Sequence, residues 1–389
     1  MKRISFLIAT LCVPAMLSAQ ASIRFKVPGQ PLWGLKNRDG KTVVPATYYS
    51  ISDFKNDRYI VYQSSLEIGM MNEYGKVLLP AVYRSIYDFG MGVLVRKDGQ
   101  SGVLNRELKE VLPLQYEQLQ QYDSFYIAKD QGKFGVLDTN FTVRIPFTHG
   151  IIIYPNTVRS CNFMIYDHGR YGLIDIHNKI LIPQEYEFIS GPQHGFYIGI
   201  KAGKITLFDQ VGHKLWDSDY KDCIVLGPND IAVKNQEDNW AVVNRSGKVI
   251  IPFQYHKITA ISEGMYIVQN TQNLWGAVTP TNKTAIPFEY ADPFLFKNGI
   301  APVQNQYRRY GYINMKGKAI TEFKYDKGNL VTDHYAKVVK DNQYGLLDTL
   351  GKEVLPPVYQ AISVVIGEYV YVIKDKEHYI LNLKDGTRV

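Results

Sequence analysis

The sequence predicts an all-β protein built as a tandem array of about ten short antiparallel units, each a β-hairpin or three-stranded sheet. Three observations predict it. A self-similarity returns every 33–37 residues, the same turn signature recurs inside the copies, and the 29 Tyr and 17 Phe favour strands.

The first element in chain order stands outside the array. Lys2 and Arg3 make a basic start, Ile4 to Leu17 an apolar stretch, and Ala19-Gln20-Ala21 a small-x-small cleavage site. Residues 1–21 therefore read as a secretory signal peptide, and 22–389 as a single array. Cys12 follows Leu11 rather than a small residue, which disfavours lipoprotein processing. No later segment reaches the ~18 consecutive apolar residues of a membrane helix. The expected location is secreted or periplasmic, in the cell envelope of a Gram-negative-type bacterium, with no membrane span after signal removal.

The unit is an aromatic or apolar residue, Gly, a few apolar residues, Asn or Asp, Gly-Lys, a β-branched run, Pro and then Tyr. Its Gly position falls at Gly34, Gly69, Gly102, Gly135, Gly172, Thr206, Ala241, Gly276, Gly311 and Gly345. Eleven residues on stands proline in eight of ten copies, Asp217 and Glu322 being the exceptions. Three further on stands Tyr in nine of ten, with His149 the exception. Insertions are thus excluded between Gly and Tyr and allowed elsewhere. The segment 379–389 reads as a closing half unit.

Within a unit the punctuation marks strands. Tyr335 to Val339 is one, Asp341-Asn342 a tight turn, Tyr344 to Leu347 a second, and Lys352 to Leu355 a third. Asp348 to Gly351 has the pattern of a type I turn with Gly at its fourth position, and Asn37 to Gly40, Asn72 to Gly75, Asn244 to Gly247 and Asn314 to Gly317 repeat it. Proline has no N–H for a ladder, so its fixed place marks an edge. The crossing to the next unit has one or two apolar anchors and room for a short fourth strand. No stretch carries a sustained helical period with caps. Such units cannot bury both faces alone, so neighbours must stack, with the register tyrosines and the aromatic before Gly between them. The unit is shorter than the roughly 40–50 residues of propeller blades, which favours an open solenoid-like or spiral array over a closed propeller-like ring.

Leu32-Trp33-Gly34-Leu35, Lys41 to Pro45 and Tyr48 resemble the WG-repeat (KWG-repeat) family of bacterial β-repeat proteins, and the match covers Pro31 to Gly386. Trp-Gly pairs stand only at Trp33-Gly34 and Trp275-Gly276. The resemblance implies architecture more firmly than function: members look like interaction or surface modules, and no catalytic or ligand residue carries over.

The motifs for chemistry are sparse. The eight histidines, including His168 and His177 around one hairpin, show no metal-ligand spacing. Neither G-x-S-x-G nor G-x-x-x-x-G-K-[ST] occurs. Cys161 and Cys223 lack the spacing of a disulfide framework. The run Asp217-Ser218-Asp219-Tyr220-Lys221-Asp222 sets carboxylates together as calcium sites do, but lacks the Gly and terminal Glu of an EF-hand loop and reads as a solvated turn in a decayed copy. That copy, with Thr206 and Trp216, is where geometry is expected to depart most. Aromatics off the register, Tyr122, Tyr154 and Tyr307, are the candidates for stacking on a sugar; those on the register belong to the core.

The formal charge of +7, from 44 basic and 37 acidic residues, falls to +5 without Lys2 and Arg3 and shows no nucleic-acid footprint. The sequence-level expectation is a non-catalytic protein-binding or scaffold module with no cofactor and no metal, its partner another envelope or extracellular protein. The alternative is a carbohydrate or peptidoglycan binder using exposed aromatics.

Overall fold

In the four-stranded sheets the segment that carries the Gly position is the third strand. In the second module Ser50–Ile51, Tyr59–Ser64, Glu67–Met71 and Val77–Tyr83 lie side by side in chain order. The first of these is the crossing segment, so the usual module has four strands. The computed structural model describes residues 22–389 except 123, 156–160, 331 and 333; the expected leader lies outside the described residues. Among the described residues there are 40 strands in eleven sheets, no helix, and no sheet that closes into a barrel. The last sheet, of three strands, ends with Glu377–Asn382. The chain divides into two compact bodies, one running to Ile152 and including Ile176–Asn178, the other comprising Ile153–Asp175 and Lys179–Val389.

The turns form for the reasons their residues suggest. Asn72 Oδ1 accepts hydrogen bonds from the N–H of Tyr74 at 3.1 Å and of Lys76 at 2.9 Å, holding the turn while Gly75 takes φ 80°. Between second and third strands, Asp98-Gly99 and Asp341-Asn342 have positive φ at both positions, the two-residue hairpin turn that matches strand twist.

The constant spacing from Gly to Pro has a single cause. Ile68 faces Tyr83 and Met70 faces Leu79, so three residues of the fourth strand, Pro80 to Val82, stand opposite one, Gly69. The bulge carries its backbone over the glycine: a Cβ on Gly69 would lie 2.6 Å from Leu79 O and 3.0 Å from Pro80 C. At Gly102 the corresponding distances are 2.6 Å to Leu112 O and 2.9 Å to Pro113 C. Proline fits there because the bulged residue needs no N–H for the ladder. In the sixth module both residues are lost and so is that bulge: Ile205, Thr206 and Leu207 pair one to one with Ser218, Asp217 and Trp216.

Stacking follows the register. Tyr116, Tyr186, Tyr255, Tyr290, Tyr325 and Tyr359 are buried, while Tyr48, Tyr83, His149 and Tyr220 are half-buried. Tyr116 packs on Phe147, Tyr220 on Phe253 and Tyr255 on Phe288, with ring centroids 5.7, 5.7 and 6.2 Å apart; each Phe comes from the fourth strand of the next module. The Tyr255 hydroxyl also donates to Asn282 Oδ1 at 2.7 Å, satisfying the polar tip. Small cores therefore form between neighbours, as where Phe196 and Leu207 meet Ile231, Val233 and Val243.

Candidate functional site: an apolar cleft at a module seam

In most modules the strand before the Gly-bearing strand begins opposite the Asn or Asp of the same module's turn, and in three of them the side chain there reaches the next module. Ser22 faces Asn37, and its hydroxyl donates to Glu73 O at 2.6 Å. Asn162 faces Asp175, and its amide donates to Gln210 O at 2.9 Å. Arg58, just before Tyr59–Ser64, donates to Arg106 O at 3.2 Å. The acceptor each time is the residue after the turn's Asx, and all three donors are buried. Elsewhere the position is filled by Phe125, Phe196, Asp230, Ile300, Tyr335 or Tyr369.

In the third module the residue at that position, opposite Asn105, is Gly92. It brings no side chain of its own, and the Phe89 ring lies over it, 2.8 Å from where a Cβ would stand. A second departure lies across from it: the turn of the fourth module has Phe141 where Gly75 and Gly247 stand in others, in the same left-handed backbone at φ 62°. Gly75 lets its turn lie directly on Val44 of the preceding module, with 2.6 Å from a Cβ position to Val44 Cγ2. Phe141 instead inserts a ring against Val103, Leu112 and Tyr126. A bulky residue in the left-handed region is strained by ~1–2 kcal/mol, as is Leu108 at the same turn position of the third module.

A cleft of about 560 Å³ results, lined by Phe89, Met91, Val103, Val111, Tyr126 and Phe141, with Asn105, Gln121 and Thr139 as its polar groups. Met91 is 83% exposed. The rings of Tyr126 and Phe141 lie 5.4 Å apart. Burial holds the Tyr126 hydroxyl proton more tightly than usual, and none of these lining residues is charged at neutral pH. Such a surface receives apolar side chains; it offers no general base.

The residues singled out from sequence lie elsewhere. Asp217 pairs with Lys214 at 3.1 Å, Asp219 with Lys204 at 3.4 Å, and Asp222 accepts from the N–H of Cys223 at 2.7 Å, so the acidic run turns to three separate partners. Among the described residues no three His, Cys, Asp or Glu side chains gather to hold a metal. His168 is exposed beside Asp167. Cys161 and Cys223 are both free thiols. Burial, with the Asp222 carboxylate adding to it, pushes the Cys223 thiol up to about 12. Of the off-register aromatics, Tyr122 stacks on Phe125 and Tyr154 packs on Phe163, whereas Tyr307 is 88% exposed. Gly92 and Phe141 lie off the Gly–Pro–Tyr register, so the repeat pattern does not point to the cleft; the aromatic at the turn's Gly position is the signal the sequence offers.

This arrangement, small antiparallel sheets with a glycine, or in one module Ala241, beneath the proline bulge, defines a β-repeat protein. The family model for the WG containing repeat matches residues 33–65, 171–204, 240–273, 275–307, 310–344 and 344–376, more than half of the chain, and the chain belongs to that family. Among curated proteins none matches. Solved structures give loose likenesses. BamB from Moraxella catarrhalis is 12% identical at TM-score 0.25, over 66% of this chain and 93% of its own. Hsv2 of Kluyveromyces lactis is 8% identical at 0.30, over 58% and 89%, and the computationally designed Ika8 is 10% identical at 0.25, over 78% and 93%. At these scores the likenesses carry no argument about this chain.

Proposed function

We propose that this protein is a non-catalytic, exported binding or scaffold module of the cell envelope that holds another protein, with the cleft at Gly92 as its docking point. The apolar cleft beside the 83% exposed Met91 carries this reading. The lining indicates what fits: the chain's own Phe89 ring lies over Gly92, and Phe89, Met91, Val103, Val111 and Phe141 line the cleft, so the expected contact is an apolar side chain from the partner. Export rests on the basic, apolar and small-residue pattern of residues 1–21.

A photo-crosslinking amino acid in place of Met91, in the native envelope, tests it. The expected product is one discrete, protease-sensitive adduct, absent when the probe replaces Tyr74, which is 70% exposed in the same body. A protease-resistant glycan adduct, or equal labelling from both positions, overturns the reading. The exposed ring of Tyr307 is what favours a glycan, and loss of glycan-array binding in Tyr307→Ala would establish that alternative.

A further inference from the structure

Two seams carry a cation where others carry an apolar side chain. Arg24 faces Leu35 and Lys337 faces Leu346, one residue past the Gly position; Ile60, Leu94, Ile127, Met164 and Ile198 stand there in other modules. The two cations are held alike. Arg24 Nη1 donates to Ile51 O at 2.8 Å, and Lys337 Nζ to Ile362 O at 2.5 Å. The Arg24 guanidinium lies 5.7 Å from the ring centroid of Trp33, and the Lys337 amine 5.9 Å from that of Tyr344.

The opposing segments also match residue by residue. Ile51 faces Val61 and Ile362 faces Val372. Ser52 Oγ donates to Asp53 O at 2.8 Å and accepts from the N–H of Ile60 at 2.9 Å; Ser363 Oγ donates to Val364 O at 2.9 Å and accepts from the N–H of Tyr371 at 3.1 Å. Val364 therefore stands where Asp53 stands. In the first seam the Asp53 carboxylate pairs with Arg24. A valine cannot do so, and in its place is a cavity of about 160 Å³ beside Lys337, lined by Leu330, Leu346, Val364 and Val365 with Asn329 and Thr332.

We propose that this cavity binds a carboxylate on a short aliphatic tail, its oxygens taking the place that Asp53 fills in the first seam. An ammonium has three donors, and Ile362 O uses one. Burial lowers the amine's affinity for its proton, and an incoming carboxylate would favour the charged amine as the Asp53 carboxylate does the Arg24 guanidinium. The volume is comparable to the ~150 Å³ that admits benzene in an engineered cavity, which sets the tail at a few carbons. These residues are distinct from those of the Gly92 cleft, so the two readings stand or fall separately.

The ligand could be a free short-chain acid or a peptide carboxyl terminus. Calorimetric titration of the full mature chain with butyrate, with N-acetyl-Ala-Leu, and with the amide of each distinguishes them. Saturable binding of at least one acid is expected, roughly tenfold or more tighter than its amide. Lys337→Met should lose that preference. Val364→Asp should also weaken acid binding by roughly tenfold or more, because the new carboxylate occupies the place; Val364 is 70% exposed, so the variant should fold. Stronger binding of the dipeptide identifies a chain terminus as the source, and stronger binding of butyrate a free acid. Binding of neither acid, equal binding of acid and amide, or undiminished binding by Val364→Asp overturns the proposal.

Discussion

At the residue scale, the fixed interval between Gly and Pro is a steric agreement between one side-chain-free position and one bulge. Filling the glycine should therefore cost stability in proportion to the group added. Gly69→Val should lower stability by about 2–3 kcal/mol in urea unfolding. Gly69→Ala should cost less, because Ala241 lies beneath the same bulge, where Trp240 faces Tyr255 and Val242 faces Ile251. An equal cost for both would show that the bulge backbone does not approach the glycine. Cys223 supplies a second test at this scale. With its thiol pushed up to about 12, only on the order of one molecule in ten thousand is thiolate at pH 8, so iodoacetamide should label it only after denaturation. The sign is that of a buried thiol: raising the pH toward 12 increases the rate.

At the element scale, the sixth module shows that Gly, Pro and bulge form one unit of sequence. Thr206 faces Asp217 directly, and the irregularity left in Lys214–Ser218 lies beyond that pair, between Leu207 and Phe208. Asp217→Pro alone places a ring in an unbulged ladder and should destabilise, and Thr206→Gly alone removes a buried side chain. The double variant rebuilds the pattern of the other modules, so a double-mutant cycle should show a favourable coupling of about 1 kcal/mol or more; simple additivity would refute a linked bulge. This also marks how far the sequence could be read. Turns were legible because Asn72 and Gly75 act on their own neighbours. The third and fourth strands were legible because their spacing never varies. The first strand is only two residues long at Ser50–Ile51, too short for its own periodicity, so the sequence leaves room for it without marking it. The cleft depends on Gly92 and Phe141, 49 positions apart and brought together only by stacking. Likewise Val364 acquires meaning only when its seam is laid over that of Asp53.

At the scale of the whole molecule, interactions that hold one module reach the next and stop there. The hydrogen bonds of Ser22 to Glu73, Arg58 to Arg106 and Asn162 to Gln210 span 51, 48 and 48 residues, and each ends in the adjacent module. Repeat arrays of this kind are stabilised by nearest-neighbour terms, so damage at one seam should stay local. The seam between the second and third modules offers a clean case. Arg58 and Asp88 side chains are each 9% exposed, with Nε and Oδ2 3.4 Å apart, and Asp88 Oδ1 also accepts from Asn56 at 2.9 Å and from the N–H of Gly90 at 2.8 Å. Asp88→Ala leaves a buried guanidinium uncompensated, a change worth about 3 kcal/mol. Hydrogen exchange should accelerate in Tyr59–Ser64 and Gly92–Lys97 and remain unchanged in Tyr335–Lys340. A uniform loss of protection along the chain would mean that the modules melt as one cooperative core rather than as neighbours in series.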